Sequence, residues 1–352
     1  MKAPHPRRPL SSASILSAAW LCGCAGAQAA PSVPGAGAAP LGALAAPAPP
    51  AAAPVARSVR VVIERGVEFA RFPYRSLRLD VLRPAAPVRP ALPAIVFIHG
   101  GGWRRGTRED GHALLVPLVE TGRYIGVTLD HRYAQEATWP AQIHDAKAAV
   151  RWLRTNAAAY AIDPARVAVW GESSGGQIAG VLATTGGLAE LEGDIPPPPG
   201  AMTPAPPPSS RVQAAVIFCG PTDMEAFFTS ATTPDAVAAM HRRLDPLFGG
   251  SPSARVELVR SASAIRYVSA DDPPLLLIHG TADDLVPFGL SEAMRTKLDR
   301  AGVATALVPV EGWGHGFRGP EIDARVQAFF DRYLWGDAVE VPATPVRADR
   351  TP

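Results

Sequence analysis

Val167-Ala168-Val169-Trp170-Gly171-Glu172-Ser173-Ser174-Gly175-Gly176 is the stretch that decides how this chain folds. Its first four residues form a short apolar run of the kind that makes a buried strand, and Gly176 to Thr184 reads as a helix. Between them, Gly171 to Gly175 fits G-x-S-x-G, in which a serine sits on a sharp turn from strand to helix. Such a turn strains the serine backbone, and the residues two positions either side must be small for the chain to pass. The pattern alone arises by chance in a glycine-rich chain. A strand before it and a helix after it make Ser173 a candidate nucleophile.

Working outward, short apolar runs alternate with helical patterns. Val61 to Ala70 and Leu77 to Leu82 read as two opening strands. Ala94 to Ile98, Ile125 to Asp130, Ala214 to Cys219, Leu275 to His279 and Ala304 to Pro309 read as further strands. Continuous apolar runs imply burial on both faces, and the alternation predicts an α/β fold, a mostly parallel central sheet of about eight strands flanked by helices. Pro140 to Tyr160 is the clearest helix: proline suits a first turn, and Ile143, Val150, Leu153, Ala157 and Tyr160 recur at helical spacing. Leu290 to Ala301 and Ile322 to Leu334 read as two more. Gly186 to Ser210 holds two proline runs and reads as an irregular excursion. Thr222 to Val268, with helical stretches at Met224 to Phe228 and Asp235 to Arg243, reads as a small helical cap or insertion near the site.

Acyl transfer from a serine needs oxyanion donors, a base and an acid that orients the base. His99-Gly100-Gly101-Gly102-Trp103 follows the strand Ala94 to Ile98, and its glycines let backbone N–H groups approach an oxyanion closely. Gly101, Gly102 and the N–H of Ser174 are the oxyanion-hole candidates. The loop matches neither common phosphate-binding glycine pattern. Among the eight histidines, His315 stands in a glycine-rich loop between the last strand and the last helix, the position that the chain order Ser, acid, His requires. His279-Gly280-Thr281-Ala282-Asp283-Asp284 then offers two acids, Asp283 and Asp284. Trp103, Phe317 and either Phe227 or Phe228 are candidate substrate-pocket walls, with core or lid packing as the competing role. There is no H-E-x-x-H and no clustered Cys/His set, so the reading calls for no metal and no cofactor.

With these motifs in place, the chain from about Val61 to Trp335 resembles the α/β-hydrolase superfamily, in the branch of hormone-sensitive-lipase-like esterases and bacterial bifunctional feruloyl and acetyl-xylan esterases. Asp130-His131-Arg132-Tyr133, Trp139 to Asp145, Gly220-Pro221-Thr222-Asp223 and Gly314-His315-Gly316-Phe317 carry the likeness beside the motifs above. The resemblance implies Asp283 as the acid, because relatives place it first after H-G-x-x and four residues before a proline. It also implies a serine carboxylic ester hydrolase acting on small acyl or aryl esters. An amidase or formamidase on the same fold and a non-catalytic binding protein are the alternatives. Asp130 to Tyr133 departs from the lipase-like pattern, and Gly186 to Ser210 is unusually proline-rich. Both departures are expected near an acyl or alcohol pocket.

The 352-residue chain has a formal net charge of +2 and no long run of one sign, which points to a small-molecule ester substrate and away from nucleic acid. Residues 1–29 read as a signal peptide: Met1 to Arg8 are basic, Pro9 to Leu21 small and apolar, and Ala27-Gln28-Ala29 a cleavage site. Leu21-Cys22-Gly23-Cys24 offers a lipobox as the alternative, with Cys24 as a lipidated membrane tether. The expected location is exported, periplasmic or extracellular, or membrane-anchored as a lipoprotein. Residues 30–57 read as an Ala/Pro-rich disordered linker, 58–336 as the catalytic domain and 337–352 as a flexible tail. Beyond the linker only Cys219 remains of the three cysteines, so the domain has no internal disulfide, and a buried thiol is the expected role.

Overall fold

The computed structural model describes residues 58–347; the signal segment 1–29, with Cys24, and the linker 30–57 lie outside the described residues. One eight-stranded sheet organises the chain, in the order β1-β2-β4-β3-β5-β6-β7-β8. β1 (Val61–Phe72), β2 (Arg75–Pro84) and β4 (Ile125–Leu129) pair antiparallel. From β4 through β3 (Leu92–Ile98), β5 (Ile162–Glu172), β6 (Ala215–Phe218), β7 (Leu275–Gly280) and β8 (Thr305–Val310) every pairing is parallel. All seven residues of β3, all five of β4 and all six of β7 are buried, as parallel strands covered on both faces must be. Each such Val, Leu or Ile contributes about 1.5–3 kcal/mol relative to exposure.

Two cores flank the sheet. One lies under α2 (Ala141–Thr155) and α3 (Ser174–Thr184) and continues to α7 (Gly289–Arg300). The other lies under α1 (His112–Glu120) and α8 (Pro320–Phe330). α4 (Met224–Thr229), α5 (Pro234–Phe248) and α6 (Val256–Ser261) form the small cap between β6 and β7. α6, only six residues long, escaped the sequence reading.

α2 is shorter than its apolar spacing predicts. Asn156 leaves helical geometry and its side-chain amide bonds the Trp152 carbonyl at 2.8 Å, so the helix ends at Thr155 and a run of turns carries Ala157 and Tyr160 onto the core. The excursion from Gly186 to Ser210 is irregular apart from one short turn of helix at Ala189–Leu191. Its anchor is Glu192, which takes the buried Lys147 ammonium at 2.9 Å, Arg151 at 2.5 Å and the Ser210 hydroxyl at 2.6 Å.

The segment after 336, expected to be flexible, is tied down as far as its described residues go. Val346 is buried, its N–H bonds the Pro309 carbonyl at 2.8 Å, and its carbonyl takes the Glu311 N–H at 2.9 Å. An isolated parallel bridge, Val310 to Val346, thus covers the outer edge of β8, the edge that would otherwise present unpaired backbone. Val346→Asp is expected to cost about 2 kcal/mol, read as a lower urea midpoint; an unchanged midpoint would mean that this strand-edge contact contributes nothing.

Candidate active site

The turn from β5 into α3 puts Ser173 at φ 55°, ψ −120°, a sparsely populated backbone region for a residue with a side chain. Its flanking glycines are required by contact. A Cβ on Gly171 would stand 2.2 Å from the Gly175 carbonyl oxygen, and one on Gly175 would stand 2.1 Å from that of Ile98. The Ser173 N–H bonds the Phe218 carbonyl at 2.8 Å and its own carbonyl takes the Gln177 N–H at 3.0 Å. The strand partner and the first helical turn therefore hold the serine from both sides.

Ser173 Oγ lies 2.9 Å from His315 Nε2, and His315 Nδ1 lies 2.8 Å from Asp283 Oδ2. The three side chains come from β5, the loop after β7 and the loop after β8, all at the carboxyl edge of the parallel strands, where open α/β sheets place their ligands. Asp284 is exposed. Asp283 has a zero-exposure side chain. Its Oδ1 accepts the N–H groups of Leu285 and Val286, both at 2.9 Å. Its Oδ2 accepts from His315 and also, at 3.1 Å, from His279 Nε2.

His279 was missed by the sequence reading, which treated it only as the end of a strand. Its Nε2 faces two acceptors, Asp283 and the Val286 carbonyl at 2.9 Å, so that nitrogen carries the proton and Nδ1 accepts from the Ser291 hydroxyl at 2.7 Å. The four-residue spacing of His279 and Asp283 was the available signal. Burial alone would raise the Asp283 pKa; the hydrogen bonds from His279 and His315, with the Val286 N–H, outweigh it and hold the carboxyl well below the usual carboxylate range.

The glycine loop packs directly on the turn. A Cβ on Gly100 would sit 3.3 Å from that of Ser173. Gly101 and Gly102 both have positive φ, 113° and 65°, and a Cβ on Gly101 would strike the Arg105 carbonyl oxygen at 2.1 Å. Ser174 is the first residue of α3, so its N–H lies among the donors a helix leaves unpaired at its start. All three oxyanion candidates border the same cleft as Ser173. Behind them, the His99 and His131 rings stack at 4.6 Å. Burial lowers both pKa values, that of His131 to about 3, so the loop rests on two neutral rings. Arg132 grips the buried Asp145 through Nη2 at 2.7 Å and through its backbone N–H at 2.8 Å. Asp130 to Tyr133 is therefore scaffold behind the site.

A cleft of about 980 Å³ opens over the serine, walled by the glycine loop, Trp103, Phe227, Leu285 and Val286. Trp103 is buried, with its indole N–H on Gln177 Oε1 at 2.9 Å. Phe317 does not line the cleft. It is buried in the opposite core against Phe218, ring centroids 5.2 Å apart, because the chain after His315 turns under the sheet toward α8. Phe228 faces away too, edge-on to His241 at 5.3 Å. No residue of Gly186 to Ser210 or of Asp130 to Tyr133 borders the cleft, so neither departure sits where the sequence reading expected it. Cys219 is buried, its thiol donating to the His315 carbonyl at 3.3 Å and its pKa pushed up by burial.

The sequence profile of the BD-FAE family matches residues 79–298, more than half of the chain, through all of the elements that carry Ser173 and Asp283. The chain belongs to the BD-FAE family. A profile described as TAP-like protein matches residues 254–344 of this BD-FAE chain. Esterase LipC of Mycobacterium tuberculosis is 30% identical over 244 residues, 68% of this chain and 56% of LipC. Esterase LipQ of the same organism is 32% identical over 64% of this chain and 51% of its own. The chain spans about half the length of these curated relatives. Among solved structures, a truncated carbohydrate esterase from gut microbiota superposes with a TM-score of 0.67 at 27% identity, over 80% of this chain and 98% of that one. A butyrate-bound esterase of Thermogutta terrifontis superposes with a TM-score of 0.56 at 25% identity, over 78% and 92%. The α/β-hydrolase fold of this BD-FAE protein is thereby shared with esterases.

Because the folded state holds Asp283 ionised more strongly than the unfolded chain does, its contribution to stability is present above the unfolded carboxylate pKa, about 3.9. That contribution is lost as pH falls through the lower folded value. Urea unfolding from neutral pH downward is expected to show stability declining below about pH 4, with a shallower decline in Asp283→Asn. Equal slopes would show that this carboxyl is not depressed.

Proposed function

We propose that this BD-FAE protein is a serine carboxylic ester hydrolase acting on small acyl or aryl esters. The observation that carries the reading is the continuous hydrogen-bonded line from Ser173 Oγ through the His315 ring to Asp283, set beside the glycine loop at the floor of an open cleft. Ser173 Oγ attacks the ester carbonyl carbon while His315 Nε2 takes its proton. Asp283 holds the ring in the tautomer with the Nδ1 proton and stabilises the imidazolium. The N–H groups of Gly101, Gly102 and Ser174 stabilise the oxyanion. His315 returns the proton to the leaving alcohol; a water, deprotonated by the same ring, then attacks the acyl-enzyme carbonyl, and the carboxylic acid leaves as His315 gives that proton back to Ser173 Oγ. The named esterase relatives support the reaction class, and the small surplus of positive charge supports a small-molecule partner over nucleic acid.

Ser173→Ala is expected to lower turnover of p-nitrophenyl acetate and butyrate by about 10⁴-fold or more with unchanged folding. Mutant turnover equal to the wild type, or a wild type inert towards every ester while cleaving small amides, would overturn the reading.

We infer further that the chain is exported, on the basic, then apolar, then Ala27-Gln28-Ala29 order of its first residues, with a membrane tether on Cys24 of the lipobox as the alternative to cleavage after Ala29. Intact mass of the protein made in a bacterial host distinguishes the routes. Cleavage after Ala29 gives a soluble secreted form, a diacylglyceryl adduct on Cys24 with globomycin-sensitive processing gives the tethered form, and an uncleaved chain refutes export.

A further inference from the structure

The cleft over Ser173 carries far more positive than negative charge. Arg104 and Arg105 enter from the glycine loop, Arg242 and Arg243 from α5, and Arg318 from the loop after His315. Only two carboxylates border the same space, Asp110 and Glu172, and both are engaged. Asp110 caps its own turn, accepting the Thr107 N–H at 2.9 Å. Glu172 pairs with Arg318 at 2.7 Å. Arg104 meets no acid; its guanidinium donates to the Arg242 carbonyl at 3.1 Å and so ties the glycine loop to the cap.

Arg243 is the most telling of the set. Ala239, Arg242 and Arg243 stand at i, i+3 and i+4 on the face of α5 that borders the cleft. Arg243 is half-buried, burial lowers its pKa, and no carboxylate offsets that burial. Among the described residues it has neither an ion-pair nor a hydrogen-bond partner. A guanidinium partly withdrawn from water with no counter-charge is less well stabilised than a paired one, and a ligand that supplies the negative group offsets that cost. Other half-buried arginines have partners: Arg132 has Asp145, Arg108 has Asp80 and Asp130, Arg151 has Glu192, and Arg154, which meets no acid, donates to the Pro164 and Ser209 carbonyls and to Gln213 Oε1.

We propose that the cleft is built for esters carrying a free carboxylate, with Arg243 as the anchor of an anion subsite and Arg104, Arg105 and Arg242 supplying the surrounding field. The planar guanidinium fork matches a carboxylate in two parallel hydrogen bonds, and a monoanion costs less to desolvate beside a half-buried cation than a dianion does. The anchored carboxylate fixes one end of the substrate while the ester carbonyl reaches Ser173. This selectivity rests on the ester-hydrolase reading and narrows its substrate class.

Two matched pairs test it by pH-stat at about neutral pH. 4-Acetoxybenzoate against 4-acetoxybenzamide places the charge on the alcohol side; monoethyl adipate against ethyl adipamate places it on the acyl side. In at least one pair the full-length wild type is expected to prefer the carboxylated ester in kcat/KM by about ten- to a hundredfold, mainly through KM, and the preference should shrink with added salt. Arg243→Gln should lower that charged-to-neutral ratio by about tenfold, and Arg243→Lys should keep part of it. A wild-type ratio of one or less in both pairs overturns the subsite, as does a ratio untouched by Arg243→Gln and by the double change R242Q/R243Q. Ser173-dependent hydrolysis of the neutral esters alone leaves the esterase reading standing and removes only this proposal. No Ser173-dependent hydrolysis of any ester removes both.

Discussion

At the join of β5 and α3 the chain reverses within one residue, and Ser173 takes up a backbone conformation that costs about 1–3 kcal/mol. That cost persists because everything around it is closed to alternatives. Gly171 lies on Gly175, Gly175 lies on the end of β3, and β6 accepts the Ser173 N–H. The same closeness brings Gly100 against the serine, so one steric constraint sets the position of the hydroxyl and of the N–H groups beside it. The rest of the sheet serves to make that constraint rigid.

The polar line that leaves the serine shows how a buried carboxylate is kept ionised without a full counter-charge. Asp283 accepts two backbone N–H groups on one oxygen and two imidazoles on the other. The second imidazole, His279, is itself fixed by Ser291 from α7. The acid is thus oriented from β7, its own turn and a helix together. A ring held at Nδ1 by such an acid presents Nε2 to the serine in one tautomer only, which a general base for acyl transfer needs.

Across the cleft the design changes. On the floor Ser173, His315, Asp283 and His279 are joined by hydrogen bonds, whereas the cap side offers guanidinium groups with no protein acid to meet them. Saturated groups on rigid strands hold geometry; unsaturated charge on a cap helix is available to a ligand. In the proposed esterase, that division would separate the part of the site that performs chemistry from the part that selects what reaches it.

Much of this was legible in the residues alone. Period and turn chemistry are local properties, so the eight strands, the turn at Ser173 and the glycine loop could be read in sequence, while the choice of Asp283 over Asp284 came from the family resemblance. The sequence could not say which face of the chain a side chain would meet. Phe317 and Phe227 are both aromatic residues near a site motif, yet one fills the far core and the other borders the cleft. Val346 closes a strand edge from a stretch that composition marks as tail. His279 gains its meaning from Asp283, Val286 and Ser291, which the turn after β7 and the start of α7 fold back onto its ring, and the unpaired Arg243 gains its own from the absence of an acid beside it among the described residues. Local periodicity records how each segment folds; burial and charge balance are sums over neighbours that only the packed chain brings together.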